Sequence, residues 1–160
     1  MIFVTVGSRE YQFNRLLKKI DELIENNEIK DEVFAQIGQS TYIPVNYKYR
    51  KFLQESEFKM YQQKADLIIS HGGTGALISA LKLGKQVIAV PRLAKYGEHI
   101  DDHQLQVASI LHNEGYLINV TDLNNLKSAI DYLRINPINK KYNKPSKVIN
   151  IIQNFINQND

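Results

Sequence analysis

Short apolar runs alternate along the chain with segments of helical periodicity, and this alternation is what most constrains the fold. The strand-like runs, most of them closed by glycine or proline, stand at residues 2–6, 33–37, 67–70, 86–90 and 116–120. The helical patterns cover about residues 13–26, 55–64, 74–83, 101–113 and 122–135, whereas residues 39–52 are irregular or contain a short strand. Strands that are apolar throughout are typical of a parallel sheet covered by helices on both faces. We therefore predict an α/β fold, a single Rossmann-like domain with a parallel sheet.

Length and composition restrict the class of protein further. With 160 residues, 43% of them hydrophobic, the chain can form one sizeable core. It contains no cysteine, so neither a disulfide nor a thiolate metal site can form. The formal net charge of +3 does not favour nucleic acid as a partner, and no apolar run approaches the roughly 20 residues of a membrane span. We expect a soluble, cytoplasmic chain.

The segment Ser70–Gly75 (SHGGTG) joins the third predicted strand to the next predicted helix. Glycine at positions 72, 73 and 75 would let backbone N–H groups approach a ligand closely and would permit positive φ angles. These groups lie at a helix N-terminus, where unpaired N–H groups and the helix dipole favour an anion. We predict that a phosphate or diphosphate binds here, with His71 at the lip donating a hydrogen bond. The alternative is a tight strand-to-helix connection that needs glycine only for its geometry. Because the turn lacks the Gly-Lys-Ser/Thr ending of a P-loop, ATP hydrolysis is not expected.

A second polar concentration, Tyr96–Gln104 (YGEHIDDHQ), follows the predicted strand at residues 86–90. Histidine and carboxylate are metal-ligand types, but the segment has no helical His-x-x-x-His pair, so we expect no metal. Asp101 and Asp102 suit the N-cap and first turn of the following helix. Capping does not account for the two histidines and the glutamine. A sugar, which needs several donors and acceptors close together, fits the segment better than a cation.

Three segments together resemble the carboxyl-terminal, donor-binding half of the family-28 GT-B glycosyltransferases. They are FVTVGS at residues 3–8, SHGGTGALISALKLGKQVIAVP at residues 70–91 and DDHQLQVASILHNEGYL at residues 101–117. The likeness is to the small catalytic subunit of two-part enzymes. These include the bacterial exopolysaccharide and capsule enzymes of the PssE/EpsF type and the related eukaryotic subunit that adds the second GlcNAc to dolichol-linked chitobiose. The motif GEHIDDHQ at residues 97–104 points to the bacterial branch.

The resemblance implies which residues bind the UDP-sugar donor. They are Gly7, Ser8, His71, Gly72, Gly73, Thr74 and Gly75 for the diphosphate, Phe52 and Leu53 for the uracil edge, Ser79 for the ribose, and Asp102, His103 and Gln104 for the sugar hydroxyls. At position 79 many relatives carry Glu or Asp, which holds the ribose hydroxyls. A serine there can still accept a hydrogen bond, but without charge assistance.

The resemblance also implies a mechanism. In GT-B enzymes a helix N-terminus and nearby donors stabilise the charge of the departing diphosphate, so no divalent metal or other cofactor is expected. The general base that takes the acceptor proton could be His99, Glu98 or Asp101, or it could belong to a partner. The implied protein is the catalytic, donor-binding subunit of a bipartite, inverting UDP-sugar glycosyltransferase that acts on a polyprenyl-diphosphate-linked glycan in exopolysaccharide or capsule synthesis. The alternatives are a UDP-sugar epimerase-like enzyme and a non-catalytic nucleotide-sugar-binding module.

The carboxyl-terminal part of the sequence indicates a partner surface. We divide the chain into a UDP-sugar-binding domain, residues 1–135, and a tether with an amphipathic helix, residues 136–160. Val148–Ile156 carries an apolar stripe at helical spacing and follows a polar segment with two prolines. The helix either packs on the chain's own sheet or, as the resemblance implies, docks on a membrane-anchored partner subunit. Such a partner would hold this chain on the inner face of the cell membrane.

Overall fold

Strands and helices alternate from the first residues onward in the computed structural model, which describes residues 1–143 together with Asn150 and Asn154. The strands are β1 (Ile2–Thr5), β2 (Val33–Gln36), β3 (Lys48–Arg50), β4 (Leu67–Ser70), β5 (Gln86–Ala89) and β6 (Ile118–Asn119). The helices are α1 (Asn14–Glu25), α2 (Glu55–Lys64), α3 (Thr74–Lys82), α4 (His103–Asn113) and α5 (Leu126–Ile135). Two short 3₁₀ turns, Ala94–Tyr96 and Leu123–Asn125, precede α4 and α5.

The six strands form one parallel sheet in the order β3-β2-β1-β4-β5-β6. β1 lies near the centre, with Thr5 opposite Gln36 of β2 and Ser70 of β4. Along the chain, β2 and β3 are added successively on one side of β1, and β4 then pairs with β1 on its other side. In open parallel sheets such a reversal creates a crevice at the carboxyl ends of the strands. The predicted single α/β domain with a parallel sheet is confirmed.

Helices bury apolar side chains on both faces of the sheet. On one face α1 and α5 contribute residues such as Leu16 and Leu126, which have no exposed surface. On the other face α2, α3 and α4 cover the sheet, with Leu77 of α3 fully buried. The rings of Phe34 and Tyr61 stack there, with centroids 3.9 Å apart and planes at 4°. This two-sided burial explains why the strands are apolar throughout.

The two edges of the sheet differ from the sequence prediction. β6 is shorter than the predicted strand at residues 116–120, because the amide of Tyr116 donates to the carbonyl of Leu111 at 3.0 Å and so continues the end of α4. At the opposite edge, β3 is the short strand predicted as one alternative for residues 39–52. The helix predicted from residue 122 begins with the 3₁₀ turn that precedes α5.

The segment after α5 packs back on the domain as far as Tyr142. The side-chain amide of Gln86 donates to the Ile138 carbonyl at 2.9 Å and accepts from the Ile138 amide at 2.8 Å. Tyr142 is buried, and its ring lies 5.2 Å from that of Tyr116. The described part of the predicted tether is thus attached to the sheet. The helix predicted at Val148–Ile156 lies outside the described residues, apart from Asn150 and Asn154. Within the described residues no helix is both long enough and apolar enough to cross a membrane.

Candidate functional site

A crevice of about 910 Å³ opens at the carboxyl ends of the central strands. Its walls are the loop after β1, the start of α2, the β4–α3 turn and the loop that leads into α4. The predicted site residues that line it are Gly7, Ser8, Leu53, His71, Gly72, Gly73, Thr74, Gly75, Ser79, His99, Asp101, His103 and Gln104. Three predicted residues, Phe52, Glu98 and Asp102, do not line it.

The glycines of the β4–α3 turn are needed for close packing. None of the three uses the positive φ that glycine would permit at these positions, and Gly73 has φ −68°. A Cβ atom on Gly73 would lie 2.3 Å from Nε2 of His71, and one on Gly72 would lie 2.5 Å from Cβ of Gln104. A Cβ on Gly75 would meet nothing within 4 Å. The turn therefore excludes side chains at positions 72 and 73 because the protein itself fills that space.

The loop after β1 meets the same imidazole ring from the other side. Gly7 has φ +79°, a conformation that favours glycine, and a Cβ there would lie 2.6 Å from Nε2 of His71. The His71 ring therefore sits between the glycine of one loop and the glycine of the other. This packing holds the two loops at a fixed separation at the base of the crevice.

His71 is buried and uncharged, which corrects its predicted position at the lip of the crevice. Its side chain is only 8% exposed, and burial, together with the charge of Arg92, lowers its pKa to about 3. Nδ1 lies 3.3 Å from the carbonyl oxygen of Thr5. Since a carbonyl only accepts, Nδ1 carries the proton and Nε2 presents a lone pair. In this tautomer His71 cannot donate to a phosphate oxygen through Nε2, contrary to the prediction.

The N-terminus of α3 opens into the crevice without a capping side chain. Gly73 is the N-cap, and the first amide with an intrahelical acceptor is that of Leu77, which donates to the Gly73 carbonyl. The amides of Thr74, Gly75 and Ala76 precede it, and these three residues line the crevice. Unpaired N–H groups and the positive end of the helix dipole make this position suitable for an anion.

Glu98 is part of the framework, and its predicted role as a general base is wrong. The carboxylate has no exposed surface and accepts two hydrogen bonds from Arg15, at 3.0 and 3.1 Å. It also accepts from the amide of Leu93 at 3.1 Å. A base must reach the proton that it removes, whereas these contacts hold Glu98 inside the protein.

The two adjacent aspartates have different roles. Asp102 turns away from the crevice and accepts from the amide of Ala94 at 2.9 Å, so its predicted contact with the sugar is wrong. Asp101 faces the crevice, where its carboxylate lies 3.1 Å from Nδ1 of His99 and 3.7 Å from Nε2 of His103. It also accepts from the amide of His103 at 3.0 Å and so stabilises the start of α4. One carboxylate thus lies near two imidazoles at the mouth of the crevice, and Nδ1 of His99 accepts a hydrogen bond from the Asp101 amide at 3.4 Å.

The described residues of the crevice include no cluster of metal-ligand side chains. In the part of the chain that the structure describes, no three histidine, cysteine, aspartate or glutamate side chains are arranged to hold a metal ion. The loop leading into α4 instead presents donors and acceptors that a hydroxylated ligand could use.

The α2 side of the crevice carries a pair of hydrogen-bonded side chains. Ser79 donates to the side-chain oxygen of the fully buried Gln62 at 3.0 Å, which leaves the lone pairs of the Ser79 hydroxyl available to accept. The amide of Leu53 donates to the side-chain oxygen of Gln36 at 3.2 Å, so it is not free to read a base edge. Phe52 lies outside the crevice and is largely exposed.

Sequence reasoning missed several polar side chains in these walls, among them Arg9, Lys59, Gln62 and Arg92. Arg92 follows β5 at the same edge of the sheet as the loops after β1 and β4. The rule that ligands bind beyond the carboxyl ends of parallel strands would have selected it, had the rule been applied to β5. Lys59 and Gln62 lie on α2, where no sequence motif marks the side that faces the crevice.

Comparison with known sequences identifies the family of this domain. The glycosyltransferase family 28 C-terminal domain matches residues 1–158. The UDP-N-acetylglucosamine transferase subunit ALG13 of Homo sapiens is 32% identical over 132 residues, which cover 75% of this chain and 11% of that protein. ALG13 of Candida albicans is 31% identical over 159 residues, which cover 96% of this chain and 50% of that protein. The chain thus spans half or less of the length of these relatives.

Solved structures share the fold. An NMR structure of ALG13 superposes with a TM-score of 0.57 at 19% identity, covering 89% of this chain and 88% of that one. MurG of Acinetobacter baumannii superposes with a TM-score of 0.60 at 18% identity, covering 94% of this chain and 49% of that one. The predicted equivalence to one half of a GT-B glycosyltransferase is confirmed. Since the family match extends over nearly the whole sequence, this chain belongs to the glycosyltransferase family 28 C-terminal domain family.

Proposed function

We propose that this chain is the donor-binding, catalytic subunit of a bipartite, inverting UDP-sugar glycosyltransferase. The observation that carries the proposal is the uncapped N-terminus of α3, which opens into the crevice beside Gly7 and His71. Its unpaired amides and its dipole suit the diphosphate of a nucleotide sugar. Membership of family 28 supports the proposal, and so do the two relatives that are named as UDP-N-acetylglucosamine transferase subunits.

The chemistry of the transfer assigns a role to each wall of the crevice. The acceptor oxygen forms a bond to the anomeric carbon of the sugar while the bond from that carbon to the diphosphate oxygen breaks. The electron pair of the broken bond goes to the diphosphate. The amides of Thr74 and Gly75 stabilise the resulting charge at the helix N-terminus, so the reaction needs no divalent metal.

The proton of the acceptor hydroxyl requires a base. Asp101 and His99, which lie 3.1 Å apart at the mouth of the crevice, are this chain's candidates. In such a pair the carboxylate orients the ring and stabilises its protonated form. The base can also come from the partner subunit, which would cover the crevice from the acceptor side.

The ribose and the sugar would occupy the two ends of the crevice. Ser79, held by Gln62, offers acceptor lone pairs to the ribose hydroxyls. His103 and Gln104 offer donors and acceptors to the sugar hydroxyls. UDP-N-acetylglucosamine is the first donor to test, because the names of the relatives carry it.

The partner and the acceptor are proposed from membership of family 28 and from the relatives, which are named as transferase subunits. One Rossmann-like domain forms half of a GT-B enzyme, and a second subunit would supply the other half. We propose a membrane-anchored partner and a polyprenyl-diphosphate-linked glycan acceptor, in exopolysaccharide or capsule synthesis at the inner face of the cell membrane. Val148–Ile156 would dock on that partner.

The experiment is co-expression of this chain with a candidate partner, chosen as a neighbouring reading frame of similar size if that frame encodes one amino-terminal hydrophobic span. Transfer of radiolabelled sugar from the UDP-sugar to membrane lipids should require both chains and should survive EDTA. Loss of activity in EDTA with recovery in magnesium or manganese would overturn the metal-free mechanism. Turnover of UDP-N-acetylglucosamine by this chain alone would favour an epimerase-like enzyme, and binding without transfer would favour a non-catalytic module.

A truncation after Asn143 tests the docking of the carboxyl-terminal helix. It keeps the contacts of Ile138 and Tyr142 with the domain, so the fold should persist. UDP binding should be nearly intact, whereas co-purification with the partner and sugar transfer should be lost. A truncated chain that unfolds would show that the helix belongs to the core of this domain. One that still transfers sugar would contradict docking.

A further inference from the structure

Arg92 is the largest side chain that is fully buried, and within the described residues it has no ionic partner. It is 1% exposed, and no carboxylate oxygen of those residues lies within 4.0 Å of its guanidinium nitrogens. Nη2 donates to the carbonyl of Tyr11 at 3.1 Å, whereas Nε, also buried, has no acceptor within the described part of the chain. A buried charge is costly unless it is paired and hydrogen-bonded.

The carboxylate that acts electrostatically on Arg92 is already paired with another residue. Glu98 affects the electrostatics of Arg92, but both of its oxygens accept from Arg15. Burial lowers the pKa of Arg92 to about 10, so the guanidinium remains charged at neutral pH. Within the described residues the guanidinium is therefore a permanent positive charge outside any ion pair, although Glu98 acts on it electrostatically and the centroid of the Phe13 ring lies 5.6 Å from its Cζ.

This charge lies where the crevice is built to receive an anion. Arg92 lines the crevice together with Gly7, His71 and Gly73, and the exposed Arg9 lies in the same wall. His71, between the two glycines, contributes no charge because it is neutral. The cationic character of this end of the crevice therefore depends on the two arginines and the N-terminus of α3.

We infer that Arg92 is a diphosphate-binding residue, the fixed cation that compensates the leaving group at the base of the crevice. The bound anion supplies the counter-charge that no carboxylate of the described residues provides within 4.0 Å of the guanidinium. Arginine suits this role because its planar set of donors matches phosphate oxygens. That the ligand is a nucleotide rests on the proposed function, whereas the binding of an anion at Arg92 does not. Pyrophosphate, which carries no nucleoside, therefore tests the inference separately.

The experiment compares pyrophosphate, UDP and uridine by isothermal titration calorimetry on the full chain and on R92M, R92K and R134M. R92M should weaken pyrophosphate and UDP by about 10- to 100-fold, the loss expected for a charge-assisted contact, and should leave uridine unchanged. The affinity of R92K for pyrophosphate and UDP should lie between those of the wild type and R92M, because lysine keeps the positive charge and lacks the planar set of donors. Arg134, which pairs with Asp31 away from the crevice, provides the control with the same change in net charge.

Each outcome bears on the inference. If R92M binds pyrophosphate as tightly as the wild type, the inference is overturned. An equal loss of affinity for UDP and for uridine would also overturn it, because Arg92 would then act only by supporting the loop at Tyr11. If R92M does not fold, R92K decides, and wild-type affinity of R92K for all three ligands would overturn the inference. A wild-type chain that binds pyrophosphate but not UDP would contradict the proposed function and support Arg92. A chain that binds neither would contradict both.

Discussion

Two walls of the crevice are built in different ways. The glycine wall, Gly7 with residues 71–75, is fixed by packing, because the His71 ring occupies the space beside Gly7 and Gly73 that Cβ atoms would need. The polar loop, residues 98–104, is fixed by hydrogen bonds that its acidic side chains accept from backbone amides and from Arg15. The glycine wall leaves no room for larger side chains at residues 7, 72 and 73, whereas the structure of the polar loop depends on the orientation of each carboxylate.

This difference shows what a sequence can reveal about a site. A run of glycines at a strand end indicates that another group packs closely against the backbone there. From the sequence of this chain we predict that the group is a ligand, whereas the structure shows it to be side chains of the protein. In the polar loop, Glu98 and Asp101 are three residues apart, yet one is buried in the framework and the other lines the crevice. Helices and strands have a period that assigns each side chain to a face, and a loop has none.

The largest effects should come from neutralising the two carboxylates of the polar loop separately. E98Q leaves the partly exposed Arg15 without its counter-charge and removes a buried acceptor, so it should lower the free energy of unfolding by about 2–3 kcal/mol. D101N alters a partly exposed group, so it should change the free energy of unfolding by less than about 1 kcal/mol. If Asp101 and His99 form the base, D101N should lower kcat about 100-fold with the partner present.

Denaturant unfolding and steady-state kinetics of the two variants separate these roles. Equal losses of stability in E98Q and D101N would remove the distinction between a framework carboxylate and a crevice carboxylate. A normal kcat in D101N would exclude Asp101 from the base and leave His99 or a residue of the partner subunit.

One added methyl group should have opposite effects on stability at two positions of the glycine wall, residues 73 and 75. G73A places a Cβ 2.3 Å from a ring that is buried and tied to Thr5, so overpacking should cost about 1–3 kcal/mol. G75A adds the same methyl group in open space within α3, where replacing glycine should stabilise by about 0.5–1 kcal/mol. Thermal or denaturant unfolding measures both. Equal stability of the two variants would show that His71 does not fill the wall.

The sequence predicts the fold of this chain better than its site. Apolar runs closed by glycine or proline located β1, β2, β4 and β5, because burial on both faces leaves a clear pattern. The position of the crevice followed from the parallel sheet. The neutral state of His71 and the burial of Arg92 could not be predicted, since both depend on contacts between segments far apart in the sequence. The roles of the loop residues Glu98 and Asp102 were predicted wrongly for the same reason.

The pH dependence of stability tests whether the glycine wall is closed to water. An unfolded histidine has a pKa of about 6.5, and burial lowers that of His71 to about 3. Between these values the unfolded chain binds a proton that the folded protein does not. The free energy of unfolding should therefore fall as the pH falls below about 6.5, by about 1.4 kcal/mol per pH unit from His71 alone.

H71N is the variant that isolates this contribution. Its side-chain amide can still donate to the carbonyl of Thr5 and cannot take up a proton in this range. Denaturant unfolding at pH 7, 6 and 5 gives the difference in stability between the wild type and H71N. Because the other titrating groups are common to both proteins, that difference should be constant above about pH 6.5 and should shift against the wild type by about 1.4 kcal/mol per unit below it. Parallel pH profiles would mean that the His71 ring is accessible to water and protons in the folded protein. In that case packing would not close the glycine wall, and its contrast with the polar loop would not hold.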